Sequence, residues 1–313
     1  MRLVKHQQII ILQKREVWLD NLKGFGIILV VLGHIASPIS SLIYSFHMPL
    51  FFVITGYLFN EEKLNRHFVI KNLKRIFIPF FVFLLLGFLF EFLKRMLLSR
   101  DQLEFSQLLD AILFMDFSSL HNTYGFVLWF LPALFFSKLF LKTLFTINNN
   151  SLKISISILL FVIGIKFQLP FSIDEGMVAL PFLLFGFLLK SLNQKYLAII
   201  SLLILSLILT YNSPPVLNLS SKEFENIHLN FLWCVSIISI LFSIFSYIRS
   251  IFLNFLGINS MFIFIVHPYT NNISFLILEY FDVNVFYLNF ILSLFLISII
   301  TITFRKLIKT NYV

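Results

Sequence analysis

Long apolar runs separated by short polar breaks occupy almost the whole chain. A membrane crossing needs about 20 mostly apolar residues. The pattern predicts ten crossings: 22–40, 43–59, 76–93, 124–141, 152–168, 176–190, 195–211, 229–248, 251–268 and 286–304. The ninth is interrupted by Gly257-Ile-Asn-Ser260 and by His267-Pro268. Ser274–Phe281 is apolar but too short to cross, which predicts a re-entrant or interfacial piece. The first two segments meet at a tight turn, and each carries a histidine, His34 and His47. No internal repeat and no soluble appendage stands out. The expected architecture is an all-α polytopic membrane protein, with residues 1–313 forming a single membrane-embedded domain.

Composition agrees. Of 313 residues, 59% are hydrophobic and 12% are charged, whereas a soluble domain is nearer half apolar and a quarter charged. The net charge is +9, and the basic residues lie mostly between apolar segments. That favours membrane orientation over nucleic-acid binding. With the N-terminus placed in the cytoplasm, eighteen of the 24 Lys and Arg fall in cytoplasmic segments and five outside. Lys138 falls inside a span. Both termini are then cytoplasmic, and a bacterial inner or plasma membrane is the expected location. No small-x-small cleavage site follows the first long run, so no secretory signal peptide is expected. The lone Cys234 excludes an internal disulfide and a Cys-based metal site.

Ionisable side chains at membrane depth are costly and are functional candidates by default. In the first segment, Lys23 and His34 are eleven positions apart, close to three helical turns, so they share a face about 16 Å apart. Arg15 and Asp20 lie below them. Gly24, Gly26 and Gly33 thin this helix, so a neighbour or an elongated ligand can approach closely. A cation at the inner end with an imidazole deeper in suits a thin anionic molecule entering from the cytoplasm. The plainer interpretation is that Arg15 and Lys23 only obey the positive-inside rule, and that His34 is a packed structural residue. Two histidines without a carboxylate or Cys make a poor metal site, and none is expected. Imidazole acting as general base on a hydroxyl is the better use near neutral pH. Asp20, about 21 Å below His34 on a straight helix, is expected to pair with Arg15 or a neighbouring cation rather than orient that ring.

The elements Arg15-x4-Asp20-x2-Lys23-x10-His34 and Phe46-His47-Met48-Pro49 together resemble the N-terminal signature of the acyltransferase 3 family. The family usually follows with two arginines before a proline at the third span. Arg75 and Pro79 fit, whereas Asn72 occupies the first arginine position, beside Lys71 and Lys74. Trp129-Phe-Leu and Gly257-x-Asn259-Ser260-x6-His267-Pro268 are similar to a subgroup that acetylates bacterial surface sugars. The resemblance implies about ten spans and O-acylation from cytoplasmic acetyl-CoA. The acceptor would be a hydroxyl of a cell-surface glycan or its lipid-linked precursor. It implies a catalytic set of His34, His47 and Asp20, with His34 acting as base or nucleophile. Arg15, Lys23, Lys71, Lys74 and Arg75 would hold the donor's phosphates. Trp129, Asn259, Ser260 and His267 would meet substrate, with Trp129 alternatively in an aromatic belt and His267 facing the acceptor near the outer surface. A competing expectation is a transporter or flippase whose histidines relay protons. The broken ninth span motivates it; the lack of an inverted repeat weighs against it.

Overall fold

A computed structural model describes residues 16–60, 66–211, 214–283 and 285–310. Arg15 lies outside the described residues. Seven helices among those described are long and apolar enough to cross a membrane. The other three predicted spans correspond to α1 (Val17–Gly33), α3 (His47–Tyr57) and α8 (Asn150–Lys166), of 17, 11 and 17 residues. The stretch 43–59 is therefore not one continuous crossing. A short helix α2 (Ser40–Tyr44) ends, the chain bends at Ser45-Phe46, and α3 begins at His47.

The first helix of crossing length, α4 (Arg66–Leu97), starts well before its apolar core, so Lys71, Lys74 and Arg75 belong to its first turns. Then come α5 (Phe105–Phe114), α6 (Phe117–Leu120) and a 3-10 turn (Phe126–Trp129) that runs into α7 (Phe130–Leu144). After α8 follow α9 (Ile173–Leu188) and α10 (Gln194–Tyr211). A two-stranded hairpin, β1 (Leu217–Asn218) with β2 (Glu223–Phe224), leads to α11 (Ile227–Phe245). The predicted ninth span breaks at Asn259. It yields α12 (Ile251–Ile258) and α13 (Ser260–Tyr280), and α14 (Phe286–Thr310) closes the chain. Ser274–Phe281 is not a separate re-entrant piece. All but its last residue continues α13, because Pro268 is tolerated inside that helix.

Two of the core's helix crossings need glycine. Gly24 and Gly257 bring α1 and α12 into backbone contact; a Cβ on Gly257 would lie 1.7 Å from the Asp20 carbonyl oxygen. Gly56 and Gly186 do the same for α3 and α9; a Cβ on either would lie 2.0 Å from a carbonyl oxygen of the other helix. Small residues permit such approach where lipid supplies no hydrophobic drive between helices. The glycines of α1 thus admit a neighbouring helix rather than a ligand. Helices α7 and α9 are largely enclosed, whereas α10 and α14 present apolar side chains such as Leu203, Leu207, Ile291 and Phe295 outward. Such an apolar exterior over polar internal groups suits a bilayer as solvent.

Outside the spans, Asp116 caps α6. It accepts from the Ser119 backbone N–H at 2.9 Å, the Ser118 hydroxyl at 3.1 Å and the Gln168 amide at 2.7 Å. Burial works to raise its carboxyl, but these hydrogen bonds outweigh it and hold the pKa below the usual carboxylate value. A depressed folded-state pKa adds stability above the unfolded value of about 4, and that stability is lost as pH falls through the folded value. Asp116→Ala is expected to cost about 1 kcal/mol, the usual loss for a helix cap. The difference from wild type should shrink below about pH 4, as thermal unfolding at pH 7 and pH 3 would show.

Candidate functional site

Three neighbouring cavities run through the helix bundle, and shared side chains link them. The first, about 490 Å³, is basic: among the described residues Lys23, Arg75, Lys138 and Lys142 line it, against the carboxylate of Asp20. Asp20 is buried and pairs with Lys23 at 3.2 Å. Lys142 is buried too; it donates to the Asn60 carbonyl at 3.1 Å and lies over the rings of Phe59 and Phe68. Lys138 donates to the side-chain oxygen of Asn72, whose own amide donates to the Phe68 carbonyl at 2.8 Å. Asn72 therefore orients a cation that comes from α7 rather than from α4. Arg75 faces the cavity, whereas Lys71 and Lys74 are exposed and do not line it.

The second cavity is a chamber of about 50 Å³ with His34, Tyr44, His47 and Trp129 in its wall. His34 caps the C-terminus of α1 (φ −90°, ψ 13°), so its ring leaves the helix axis. Asn271 fixes that end by donating to the Val31 carbonyl at 3.1 Å, one of the orphan acceptors of the last turn. The Tyr44 hydroxyl lies 2.9 Å from His34 Nδ1. His47 is 1% exposed, and its Nδ1 lies 2.8 Å from the Ile43 carbonyl. A carbonyl only accepts, so Nδ1 carries the proton and Nε2 the lone pair.

His267 follows the same logic by another route. Pro268 has no N–H, which leaves the Phe264 carbonyl unpaired within α13. His267 Nδ1 takes that acceptor at 2.7 Å. Its ring lies 5.0 Å from that of His34, is fully buried, and has Nε2 without a partner. The expectation that His267 faces an acceptor is corrected: it sits behind His34 and lines none of the three cavities, while Pro268, Asn271 and Asn272 line the open one.

The third cavity, about 510 Å³, has His34 and Phe126 at its inner end. Asn122, Asn271, Asn272 and Asn289 supply amides, and Tyr124 stacks on Tyr269 at 4.9 Å while donating to Asn272 at 2.7 Å. At its rim Glu91 pairs with Arg95 at 2.9 Å and with Lys94 at 3.8 Å.

His34 and Phe126 belong to both chamber and open cavity; Phe264 belongs to both chamber and basic cavity. One correction follows. Lys23 and His34 share a helix but not a cavity: Lys23 lines the basic cavity and His34 the chamber, and Phe264, its ring 5.1 Å from that of Phe130, lies in the wall of both. Asn259 and Ser260 are displaced as well. The Asn259 amide donates to the Phe255 carbonyl at 2.6 Å, and Ser260 lines the basic cavity. Trp129 is 4% exposed and belongs to the chamber, not to an aromatic belt. Tyr44, Lys138, Lys142 and Asn271 escaped the sequence prediction. Lys138 alone carried a signal, as an isolated cation inside a span.

Fold and cavities define a polytopic helical membrane protein with ionisable groups arrayed across its thickness. The acyltransferase domain family known as acyltransferase 3 matches residues 16–304, and the chain belongs to it. It is also similar to nodulation protein NolL of Sinorhizobium fredii, 42% identical over a stretch covering 17% of this chain and 18% of that protein. The chain thus spans under a fifth of the length of that relative. No solved structure matches.

Proposed function

We propose that the protein transfers an acetyl group from cytoplasmic acetyl-CoA to a hydroxyl of a cell-surface carbohydrate or its lipid-linked precursor. The observation that carries this is the order of the cavities: a basic one, a small imidazole-lined chamber, then an open amide-rich one, with His34 on the last boundary. Among the described residues, four cations against one carboxylate favour a polyanion, and the donor's phosphates supply charge-assisted partners. The positive-inside rule puts that cavity toward the cytoplasm. The donor's thin thioester arm passes Phe264 into the chamber. The acceptor enters from the open cavity, where amides and the Tyr124 ring suit a polyhydroxylated ring.

For His34 to act as base, Nδ1–H donates to the Tyr44 oxygen and Nε2 carries the lone pair. Nε2 then takes the hydroxyl proton as the oxygen attacks the thioester carbonyl. The C–S bond breaks, and CoA leaves as the thiol with that proton. His47, with its lone pair on Nε2, accepts from a second hydroxyl or a water in the chamber. Asp20 serves the donor side by holding Lys23.

The purified full chain, given acetyl-CoA labelled in the acetyl group and envelope glycans, should move the label onto carbohydrate. Folded protein that leaves all label on CoA would refute the proposal. Lys138→Met should raise the KM for acetyl-CoA by about tenfold or more, since a hydrogen bond to a charged group contributes about 1.5–3 kcal/mol and 1.4 kcal/mol is tenfold. Its kcat should stay near wild type, because the interaction holds donor and transition state alike.

A further inference from the structure

The chamber is about a tenth the size of the cavities on either side of it. At about 50 Å³, against the roughly 10–15 Å³ that one water needs, it has room for only a few waters. An acetyl group, with three heavy atoms, is near the limit of what such a space admits. Its apolar wall includes Met48 from α3, Val127 from the 3-10 turn and Leu219 from the hairpin before α11, all buried, beside the rings of Phe117, Phe126, Trp129 and Phe264. Leu219 is the unexpected member. It comes from a connection between helices, where side chains ordinarily face water, yet it is 2% exposed.

The hairpin is tied down on several sides. The Lys222 ammonium pairs with buried Asp174 of α9. Asn230 donates to the Val216 carbonyl at 2.9 Å, and the Phe224 ring lies 5.5 Å from Phe161 of α8. The Asn218 side-chain oxygen accepts from the Ser220 N–H at 3.2 Å and its hydroxyl at 2.7 Å, which shapes the turn at Leu219. These contacts fix where the backbone carries Leu219 into the chamber, so a longer acyl chain meets that side chain there.

We infer that Leu219, carried on the anchored 217–224 hairpin and joined in the chamber wall by Met48, sets the length of the acyl group, restricting the enzyme to acetyl donors. This rests on the proposed acyl-CoA reaction and adds its specificity determinant. One extra methylene against a closed pocket is worth about 10- to 200-fold in kcat/KM. Wild-type protein should therefore favour acetyl-CoA over propionyl-CoA by a factor in that range, and over butyryl-CoA by more.

The test follows CoA thiol released from acetyl-, propionyl- and butyryl-CoA by the full chain in membranes, with its envelope glycans as acceptor. Leu219→Ala and, independently, Met48→Ala should raise the propionyl-to-acetyl ratio of kcat/KM at least about tenfold, the lower end of one methylene's worth. Leu219→Phe should depress transfer from all three donors. Equal use of the three donors by wild type overturns the inference, and that comparison needs no variant to fold. Ratios unmoved in both alanine variants overturn it too, and leave the acyl-CoA reaction standing. Release from no donor by folded wild type overturns the reaction itself and the inference with it.

Discussion

His34→Ala is expected to lower acyl transfer by about 10²–10⁴-fold, the usual contribution of a positioned general base. The protein should stay folded. His34 is only half-buried, lies beyond the last turn of α1, and among the described residues its ring meets one hydrogen-bond partner, the Tyr44 hydroxyl. Losing that bond costs about 1 kcal/mol. His47 and His267 differ because both are buried and each ring holds a backbone carbonyl. Their alanine variants should lose stability along with activity. His34 is thus the position where chemistry separates from folding. The measurement is label transfer from acetyl-CoA, normalised to monodisperse protein in detergent. Transfer within tenfold of wild type would remove His34 from the reaction and move the chemistry elsewhere along the cavities.

Gly257→Val should abolish the fold. Even the first added carbon would meet the Asp20 carbonyl oxygen at 1.7 Å and the Gly24 nitrogen at 3.0 Å. Both are backbone atoms of α1, so no rotamer change relieves the overlap; α12 must move away from α1. Overpacking a fitted site typically costs about 1–3 kcal/mol when side chains can give way. Here they cannot, so the cost should exceed that range. The displaced face of α1 carries Asp20 and Lys23, so the basic cavity would be lost with the packing. Gly26→Ala is the contrast. Its added carbon meets only the side chains of Phe51 and Leu50, at 3.1 Å and 3.2 Å. Size-exclusion profiles and thermal melts should show Gly257→Val aggregated or absent, and Gly26→Ala recovered with a modest loss. Recovery of folded Gly257→Val would mean that α1 and α12 do not meet as described.

Much of the site was legible because it is local. His34, Tyr44 and His47 lie within one short bend, so any compact turn after α1 brings them together, and His267 announces itself through Pro268. The signature around Lys23 and His34 carried the family without any fold. What failed was the step from one helix face to one cavity. Lys23 and His34 lie on the same side of α1, yet one lines the basic cavity and the other the chamber, with Phe264 of α13 in the wall of both. The vacant arginine position at Asn72 also misled. Its charge partner is Lys138, 66 positions away, and no spacing rule joins the two.

Bilayer residence, the helical class, and the supply of cations and imidazoles were settled by the chain alone, because apolar length and residue chemistry do not depend on what packs where. Which of those groups share a space, and how small that space is, was decided by helix crossings at glycine contacts and by a hairpin carrying Leu219 inward. Those contacts join segments tens to hundreds of positions apart. They depend on shape complementarity between surfaces, which a linear pattern of apolar and polar residues does not encode.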